Sequence, residues 1–193
     1  MEAKFKILAV WVAIALLVYF IGVSMPAQQQ TVFYVSSFGF LALLTLCLVL
    51  LIPPIVRWQN NSFTRFLLVN RRWVGLSAFL FALTHIALVY HFFFAWDILK
   101  PLSLPNSLFL NLGAVAFLIL ALMAATSNDF SVSALGKNWK RLHLFVYLAF
   151  ALVLIHGFNI GLVYFKEQAV QISIAVLVVL IALFKTGIVK IGN

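Results

Sequence analysis

Long apolar runs, separated by short polar segments, follow one another along almost the whole sequence. Most of them reach the roughly 17 to 25 residues that an α-helix needs to cross the hydrocarbon core of a bilayer. We therefore predict an all-α integral membrane protein, a six-transmembrane-helix bundle in a single membrane domain (residues 1–193). The predicted spans cover residues 7–23, 32–56, 73–95, 108–125, 136–165 and 169–184.

Polar segments between the runs indicate how the first helices begin and end. SMPAQQQ, after the first run, resembles a signal-peptide cleavage region. That run of about 17 apolar residues is longer than a usual signal core, so we expect a retained first span. Pro53 and Pro54 should end the second helix, because proline lacks a backbone N–H. The following segment FTRFLLV is predicted to be a short amphipathic helix at the membrane interface.

Composition excludes a soluble globular protein. The chain is 65% hydrophobic and 9% charged, against roughly 25% charged residues in soluble domains. Its net charge of +9 does not indicate nucleic-acid binding, because the basic residues lie singly or in pairs beside apolar runs. Cys47 is the only cysteine, so an internal disulfide is excluded and a buried apolar role is expected. With four Asp and Glu residues, a carboxylate metal site is not expected either.

The basic residues predict the orientation. We place the N-terminus in the cytoplasm and let the six spans cross the membrane in alternating directions. The inner side then holds eleven basic residues: Lys4, Lys6, Arg57, Arg65, Arg71, Arg72, Lys137, Lys140, Arg141, Lys185 and Lys190. The outer side holds two, Lys100 and Lys166. Because Lys and Arg accumulate in cytoplasmic loops, both termini are predicted to be cytoplasmic.

The histidines carry the candidate chemistry, because an ionisable side chain inside a membrane indicates a functional site. His85 lies roughly 20 Å past Arg72, and His156 roughly 22 Å past Arg141, at 1.5 Å of rise per residue. The two spans run in the same direction, so the imidazoles are expected at matching depth. Such a pair suits one iron held between helices, as in a porphyrin with two axial histidines that transfers electrons. The alternative is a pair that hydrogen-bonds to backbone or to each other.

Two further histidines lie nearer the ends of the same spans. His143 lies at the inner interface, about 20 Å and about 140° round an uninterrupted helix from His156. It is either solvated there or a ligand of a second heme. The second ligand of that heme is unidentified, because the residue at matching depth on the third span is Val74, which cannot coordinate iron. His91 fits an aromatic interface belt with its neighbours. Its alternative is contact with an outer partner or a quinone.

Small and basic residues on these helices have two interpretations each. Three glycines either leave room for a porphyrin or serve helix packing: Gly75, Gly157 and Gly161. Four basic residues either pair with heme propionates or anchor the helices at the membrane surface: Arg71, Arg72, Lys140 and Arg141.

Two stretches carry a family resemblance. RRWVGLSAFLFALTHIALVY and ATSNDFSVSALGKNWKRLHLFVYLAFALVLIH resemble the ferric reductase-like transmembrane domain family. Within that family they are similar to the MsrQ (YedZ) type, the heme-binding membrane subunit of a periplasmic methionine sulfoxide reductase system. The resemblance covers about residues 71–165, which we take as the heme-binding core. It rests on the arginine pair, the mid-helix histidine and the LGxxWxxLHxxVY segment.

The resemblance implies a cofactor and partners. The cofactor is heme b, one or two per chain, with FMN as a further candidate. His85, His143 and His156 match the family's heme-linked histidines. Arg72 and Arg141 are expected to contact the cofactor because of their position at the inner face, not because of the resemblance. Electrons would pass from a cytoplasmic flavin reductase or quinol to a periplasmic molybdopterin oxidoreductase, across the bacterial inner (plasma) membrane. No FAD or NAD(P)H segment follows Phe184, so a separate electron donor is expected.

The sequence also departs from the family pattern. Its second span lacks the expected G-x-W-A-L opening, and a longer loop replaces the P-L-R-R exit. Two other functions therefore remain open. One is the membrane component of a ferric or other metal reductase, fed by a separate flavoprotein. The other is a heme-free membrane scaffold or small transporter.

Overall fold

The computed structural model describes residues 2–186, and every regular element in that range is helical. Its α-helices are α1 (Glu2–Val23), α2 (Ala27–Trp58), α3 (Ser62–Val69), α4 (Arg71–Phe92), α5 (Ser107–Ala125), α6 (Asp129–Leu135), α7 (Lys137–His143), α8 (Val146–Ile160) and α9 (Gln168–Thr186). Short 3₁₀ turns follow α4 and α8, at Lys100–Ser103 and Tyr164–Lys166. The predicted all-α class is confirmed. Lys190 and the side chains of Lys4, Lys6 and Lys185 lie outside the described part of the chain.

Every predicted span overlaps one or two helices, but the helices differ in length. Within residues 2–186, four stretches are long and apolar enough to cross a membrane: Ala27–Trp58, Arg71–Phe92, Ser107–Ala125 and Lys137–Ile160. The first and sixth predicted spans correspond to two shorter apolar helices, Leu8–Val23 and Gln168–Phe184. The protein is therefore an integral membrane protein, and a crossing by each of the two shorter helices stays a prediction.

The long helices form two antiparallel pairs. In the first pair, contacts join Val35 of α2 to His85 of α4, and Val49 of α2 to Arg71 of α4. Because the residue number rises along one helix as it falls along the other, α2 and α4 run in opposite directions. Contacts from Phe109 to His156 and from Thr126 to His143 establish the same for α5 and the α7–α8 stretch. The two pairs contact each other through α4 with α5 and α2 with α8.

A buried apolar core joins α2 to α5, α8 and α9. Its members are Leu43, Leu46, Cys47, Leu50, Leu120, Val146, Ala149, Phe150, Ile174 and Ile181. Cys47 is buried among these side chains, as the sequence predicted. A second cluster packs α1 against the first helix pair through Val18, Phe38, Ala42 and Phe81. Helix α2 therefore lies at the centre of the molecule.

The prediction that Pro53 and Pro54 end the second helix is wrong, because α2 continues to Trp58. Pro53 has no N–H to donate to the carbonyl of Val49, four residues earlier. That carbonyl instead accepts a hydrogen bond of 3.0 Å from Nε of Arg71 on α4. A side chain from the neighbouring helix thus satisfies the carbonyl that proline leaves without its usual partner.

The predicted fifth span is two helices, not one continuous helix. Helix α7 ends at His143, residues 144 and 145 form a turn, and α8 begins at Val146. Leu144 and Phe145 keep right-handed helical φ and ψ, with hydrogen bonds to the carbonyls three residues earlier, so the stretch is tightened between the two helices. This tighter turn changes the angle of about 140° expected between His143 and His156. Helix α8 also ends at Ile160, and Gly161 is extended. The segment after Gly161 therefore turns back instead of lengthening the helix.

The segment FTRFLLV is helical, as predicted. It forms α3, which begins with a capping box between Asn61 and Thr64. Thr64 is buried, whereas Phe63 and Val69 are exposed. The helix turns the chain from α2 into α4 with apolar side chains on its surface, as the interfacial prediction requires.

Candidate functional site

The structure brings two imidazoles together between the helix pairs. His85 on α4 and His156 on α8 have ring centroids 6.3 Å apart, and their planes are inclined at 80°. Both residues lie inside helices that are long and apolar enough to span a membrane. The imidazoles of His85 and His156 are therefore neighbours between α4 and α8, as expected for residues at matching depth.

Each imidazole uses one ring nitrogen to bind the neighbouring helix. Nδ1 of His85 donates to the carbonyl of Val35 at 2.8 Å, and Nδ1 of His156 donates to the carbonyl of Phe109 at 2.9 Å. A carbonyl oxygen only accepts, so each proton lies on Nδ1 in the neutral ring and Nε2 retains its lone pair. The backbone hydrogen bonds considered as an alternative to ligation are thus present, and they leave Nε2 available as a ligand.

The spacing of the rings fits one metal ion between them. Metal–imidazole bonds are about 2 Å long, so two in line separate the coordinating nitrogens by about 4 Å. Each ring adds about 1 Å from nitrogen to centroid, which gives a centroid separation of about 6 Å. The observed 6.3 Å agrees. Within residues 2–186, no group of three or more His, Cys, Asp or Glu side chains converges on a metal position. A metal at this pair would therefore take its other ligands from a group such as a porphyrin.

Two glycines that the sequence analysis missed lie directly against these rings. A Cβ atom on Gly39 of α2 would lie 2.9 Å from Nδ1 of His85. A Cβ atom on Gly113 of α5 would lie 2.6 Å from Nδ1 of His156. Real Cβ atoms do not approach other atoms this closely, so both positions require glycine for the observed contact. The signal in the sequence was an isolated glycine inside an apolar run, which usually marks a close contact.

The glycines proposed from sequence to make room for a porphyrin have other surroundings. Gly157 and Gly161 face the ring of Phe165, which follows them in the chain. A Cβ atom on Gly75 would meet nothing within 4 Å. For Gly157 and Gly161 the nearest atoms beyond their chain neighbours belong to Phe165 and to the backbone of Gly157. Gly157 and Gly161 therefore serve local packing, the alternative that the sequence left open.

His143 lies apart from the imidazole pair, at the end of α7. Its ring stacks on Trp139, with centroids 4.0 Å apart, and its Nε2 is 3.4 Å from the hydroxyl of Thr126. Nε1 of Trp139 donates to the backbone carbonyl of Thr126 at 2.9 Å. All four histidines of the chain are described, and no ring contact joins His143 to another of them. Its role as a second heme ligand stays a prediction without a partner residue.

The arginines named as cofactor contacts lie at the same end as His143. Arg72 forms an ion pair of 2.7 Å with Asp129 of α6, whose side chain is almost fully exposed. Arg71 donates to the carbonyl of Val49, as described above. Arg141 is exposed on α7. The structure thus gives Arg71 and Arg72 protein partners, and the roles of Arg72 and Arg141 toward a cofactor stay predictions.

His91 lies outside the site. Its side chain is exposed near the end of α4, with its ring centroid 4.7 Å from that of Phe92 and 6.2 Å from that of Trp96. These surroundings agree with the aromatic interface belt proposed from the sequence.

The segment after α8 returns to α2 near the site, which the sequence analysis did not foresee. The ring of Tyr164 stacks on Phe40 with centroids 4.6 Å apart. Its hydroxyl is 2.9 Å from the hydroxyl of Ser37, which is buried. Phe165 packs against Phe40 and Phe158. Because Ser37 and Phe40 flank the position of Gly39, this segment covers α2 at the level of the imidazole pair.

The fold and the site define a class, the integral membrane proteins that hold a histidine pair between transmembrane helices. The comparison of sequences gives the particular family. A match to the ferric reductase like transmembrane component family covers residues 38–154, and the chain belongs to this family. The matched range runs from α2 into α8. It includes Gly39, His85, Gly113 and His143, and it ends shortly before His156.

Three relatives share one description, protein-methionine-sulfoxide reductase heme-binding subunit MsrQ. The protein from Brucella anthropi is 33% identical over 121 residues, which cover 62% of this chain and 53% of the relative. Those from Pectobacterium carotovorum and Pectobacterium atrosepticum are each 31% identical over 149 residues, covering 76% of this chain and 73% of the relative. The chain thus spans about half the length of the first relative and about three quarters of the others. No solved structure matches. The resemblance seen in the sequence is confirmed.

Proposed function

We propose that this protein is a heme b membrane subunit that conducts electrons across a bilayer. The observation that carries the proposal is the imidazole pair, with ring centroids 6.3 Å apart and each Nδ1 bonded to backbone. The relatives described as heme-binding subunits support it. When bound, heme supplies an iron centre that accepts and returns one electron at a time.

The residues of the chain have defined tasks in this proposal. His85 and His156 would hold the heme iron through Nε2, while the carbonyls of Val35 and Phe109 hold their rings through Nδ1. A heme iron held by two histidines would supply electron transfer and would leave no position for oxygen to bind. The surrounding apolar helices exclude water. The site therefore suits electron transfer and not oxygen chemistry.

The basic residues support a membrane orientation, and the direction of electron transfer is proposed with it. We infer six crossings with both termini in the cytoplasm of a bacterium, since the helix ends that carry Arg57, Arg71, Arg72 and Arg141 are by far the more basic. The donor is a cytoplasmic flavin reductase or a quinol, and the acceptor is a periplasmic molybdopterin oxidoreductase of the methionine sulfoxide reductase type. The names of the relatives support a methionine sulfoxide reductase as the partner, and its periplasmic location and molybdopterin cofactor belong to the proposal.

The proposal also includes a second cofactor position, at the basic ends of the helices near His143. His143 would serve either a second heme or FMN, with Arg72 and Arg141 as partners for propionate or phosphate. Arg72 would then have to exchange its exposed pairing with Asp129 for the cofactor. Exposed ion pairs contribute only about 0 to 1 kcal/mol, so the exchange is inexpensive.

Substitution of the paired histidines tests the heme site. His85→Ala and His156→Ala are each expected to abolish the low-spin heme spectrum, because one axial ligand is lost. The measurements are the absorption spectrum and the heme-to-protein ratio of the purified protein. His91→Ala is the matched control, since His91 is on the same helix but exposed, and it should keep both values. If both paired variants kept the wild-type spectrum and ratio, the proposed ligation would be wrong.

The acceptor is tested separately. Reduced protein in proteoliposomes should be reoxidised by a periplasmic methionine sulfoxide reductase supplied with methionine sulfoxide. Reoxidation by a ferric chelate alone, without response to that enzyme, would instead identify a metal reductase component.

A further inference from the structure

We infer that Gly39 and Gly113 are positioning residues that expose one backbone carbonyl each to an imidazole of the pair. Without a side chain at these positions, His85 reaches the carbonyl of Val35 and His156 reaches that of Phe109. The inference deepens the proposed function, since it concerns how the two ligands are held. Neither glycine binds a cofactor in this account.

Helix geometry explains why glycine is needed four residues after the acceptor. In an α-helix each Cα–Cβ bond is tilted toward the N-terminus, so a side chain covers the turn before its own Cα. The carbonyl of Val35 lies one turn before Gly39, and its usual helical partner is the N–H of Gly39. A side chain at residue 39 would therefore cover the carbonyl that His85 uses. Glycine leaves the oxygen open to a second donor.

The same arrangement occurs twice in different helices. Phe109 and Gly113 on α5 repeat the spacing of Val35 and Gly39 on α2. In both cases the atom nearest to an added Cβ is Nδ1 of the imidazole that donates to the carbonyl. Two independent occurrences on the two sides of one site indicate a shared physical requirement.

The hydrogen bond affects the chemistry of the ligand. A donor bond from Nδ1 fixes the tautomer, holds the ring plane and makes Nε2 more basic. A more basic ligand stabilises the oxidised metal, so its loss raises the reduction potential. The observed planes are inclined at 80°, and the EPR signal of low-spin ferric heme depends on this angle. Gly39 and Gly113 should thus influence both the potential and the EPR signal without touching a metal.

The test compares Gly39→Ala and Gly113→Ala with Gly75→Ala. Both site variants are expected to raise the midpoint potential and to shift the low-spin EPR signal. Gly113→Ala should have the larger effect, because its Cβ contact is the shorter of the two. Gly75 lies about 15 Å of helix rise from His85, and its Cβ would meet nothing within 4 Å. The Gly75→Ala variant should match the wild type in the midpoint potential and EPR signal of the heme held by His85 and His156. Unchanged potential and EPR signal in both site variants would overturn the inference.

A second comparison works without heme and covers the case in which a variant fails to fold. Alanine at residue 39 is unfavourable here because it meets the imidazole of His85. Gly39→Ala should therefore lower accumulation and thermal stability in the native background but not in a His85→Ala background. Gly113→Ala with His156→Ala should behave in the same way. Equal losses in both backgrounds would overturn the inference. A wild-type chain that takes up no heme would reject the proposed function and leave this comparison intact.

Discussion

At the scale of single residues, the site depends on which nitrogen of each imidazole is engaged. A histidine inside a membrane needs a partner for its ring N–H, because an unsatisfied polar group in an apolar interior is costly. For His85 and His156 that partner is backbone, at 2.8 and 2.9 Å. The same hydrogen bond leaves Nε2 without that proton, as the proposed ligation requires. A structural role and the proposed ligand role are therefore compatible in the same side chain.

A prediction at this scale concerns Tyr164, which holds the returning segment against α2. Tyr164→Phe removes the hydroxyl that bonds Ser37 but retains the ring stacked on Phe40. We expect a loss of about 1 kcal/mol, the usual net value of a hydrogen bond. Tyr164→Ala should cost more, because the stacked ring is lost as well. Unfolding in detergent, followed by circular dichroism, measures both. Equal stability of the two variants would show that the ring contributes nothing.

At the scale of elements, the helices are shaped by contacts with neighbouring helices. Helix α2 continues through two prolines because Arg71 supplies the hydrogen bond that Pro53 cannot give. The α7–α8 stretch tightens just after His143, whose ring stacks on Trp139 one turn earlier in α7. At Pro53 the local sequence signal for a helix end was thus overridden by a contact from a neighbouring helix.

A double-mutant cycle tests the contact between Arg71 and Val49. Arg71→Met should destabilise the protein by about 1 to 3 kcal/mol, because the carbonyl of Val49 loses its donor. In a Pro53→Ala background the loss should be smaller, since the N–H of Ala at residue 53 can bond that carbonyl instead. Denaturant unfolding of the four proteins gives the interaction energy.

The control for this cycle is Arg72→Met. It breaks only an exposed ion pair, so it should change stability by about 1 kcal/mol or less in either background. If Arg71→Met had the same cost with and without Pro53, the proposed compensation would be wrong.

At the scale of the whole molecule, two antiparallel helix pairs enclose the site. Each pair supplies one imidazole and the carbonyl that holds it: α4 with α2, and α8 with α5. The pairing of Arg72 with Asp129 joins the basic ends of the two pairs. The site is therefore formed only when the two pairs assemble, and the positive-inside rule orients the assembly as a unit.

Cysteine labelling tests the orientation, because the only native cysteine is buried. In a Cys47→Ser background, single cysteines replace Asn60, Asn106, Lys137 or Lys166. A membrane-impermeant maleimide added to intact spheroplasts should label residues 106 and 166. Residues 60 and 137 should react only after permeabilisation. The reverse pattern would contradict the prediction that both termini are cytoplasmic. Labelling of residue 106 without residue 166 would contradict the prediction that α5 and the α7–α8 stretch cross the membrane in opposite directions and have these two residues on the same side.

Sequence alone determined the helical class, the six apolar runs and the common depth of His85 and His156. These properties depend on run length and on rise per residue, which are local and one-dimensional. It also carried the family resemblance, whose motifs lie in contiguous segments. Residues whose role arises within one run, such as Cys47 and the FTRFLLV helix, were likewise within its reach.

Only the tertiary structure decided how the imidazoles are held. Their acceptors lie 50 and 47 residues away in sequence, on α2 and α5. Which carbonyl faces which ring depends on the rotation of each helix about its own axis, and that rotation is set by packing against other helices. For the same reason Gly39, Gly113 and the contact from Arg71 to Val49 were beyond a pattern of apolar and polar positions. The depth of His85 and His156 follows from their positions along the chain. Which backbone carbonyl each imidazole contacts depends on how the helices pack against one another.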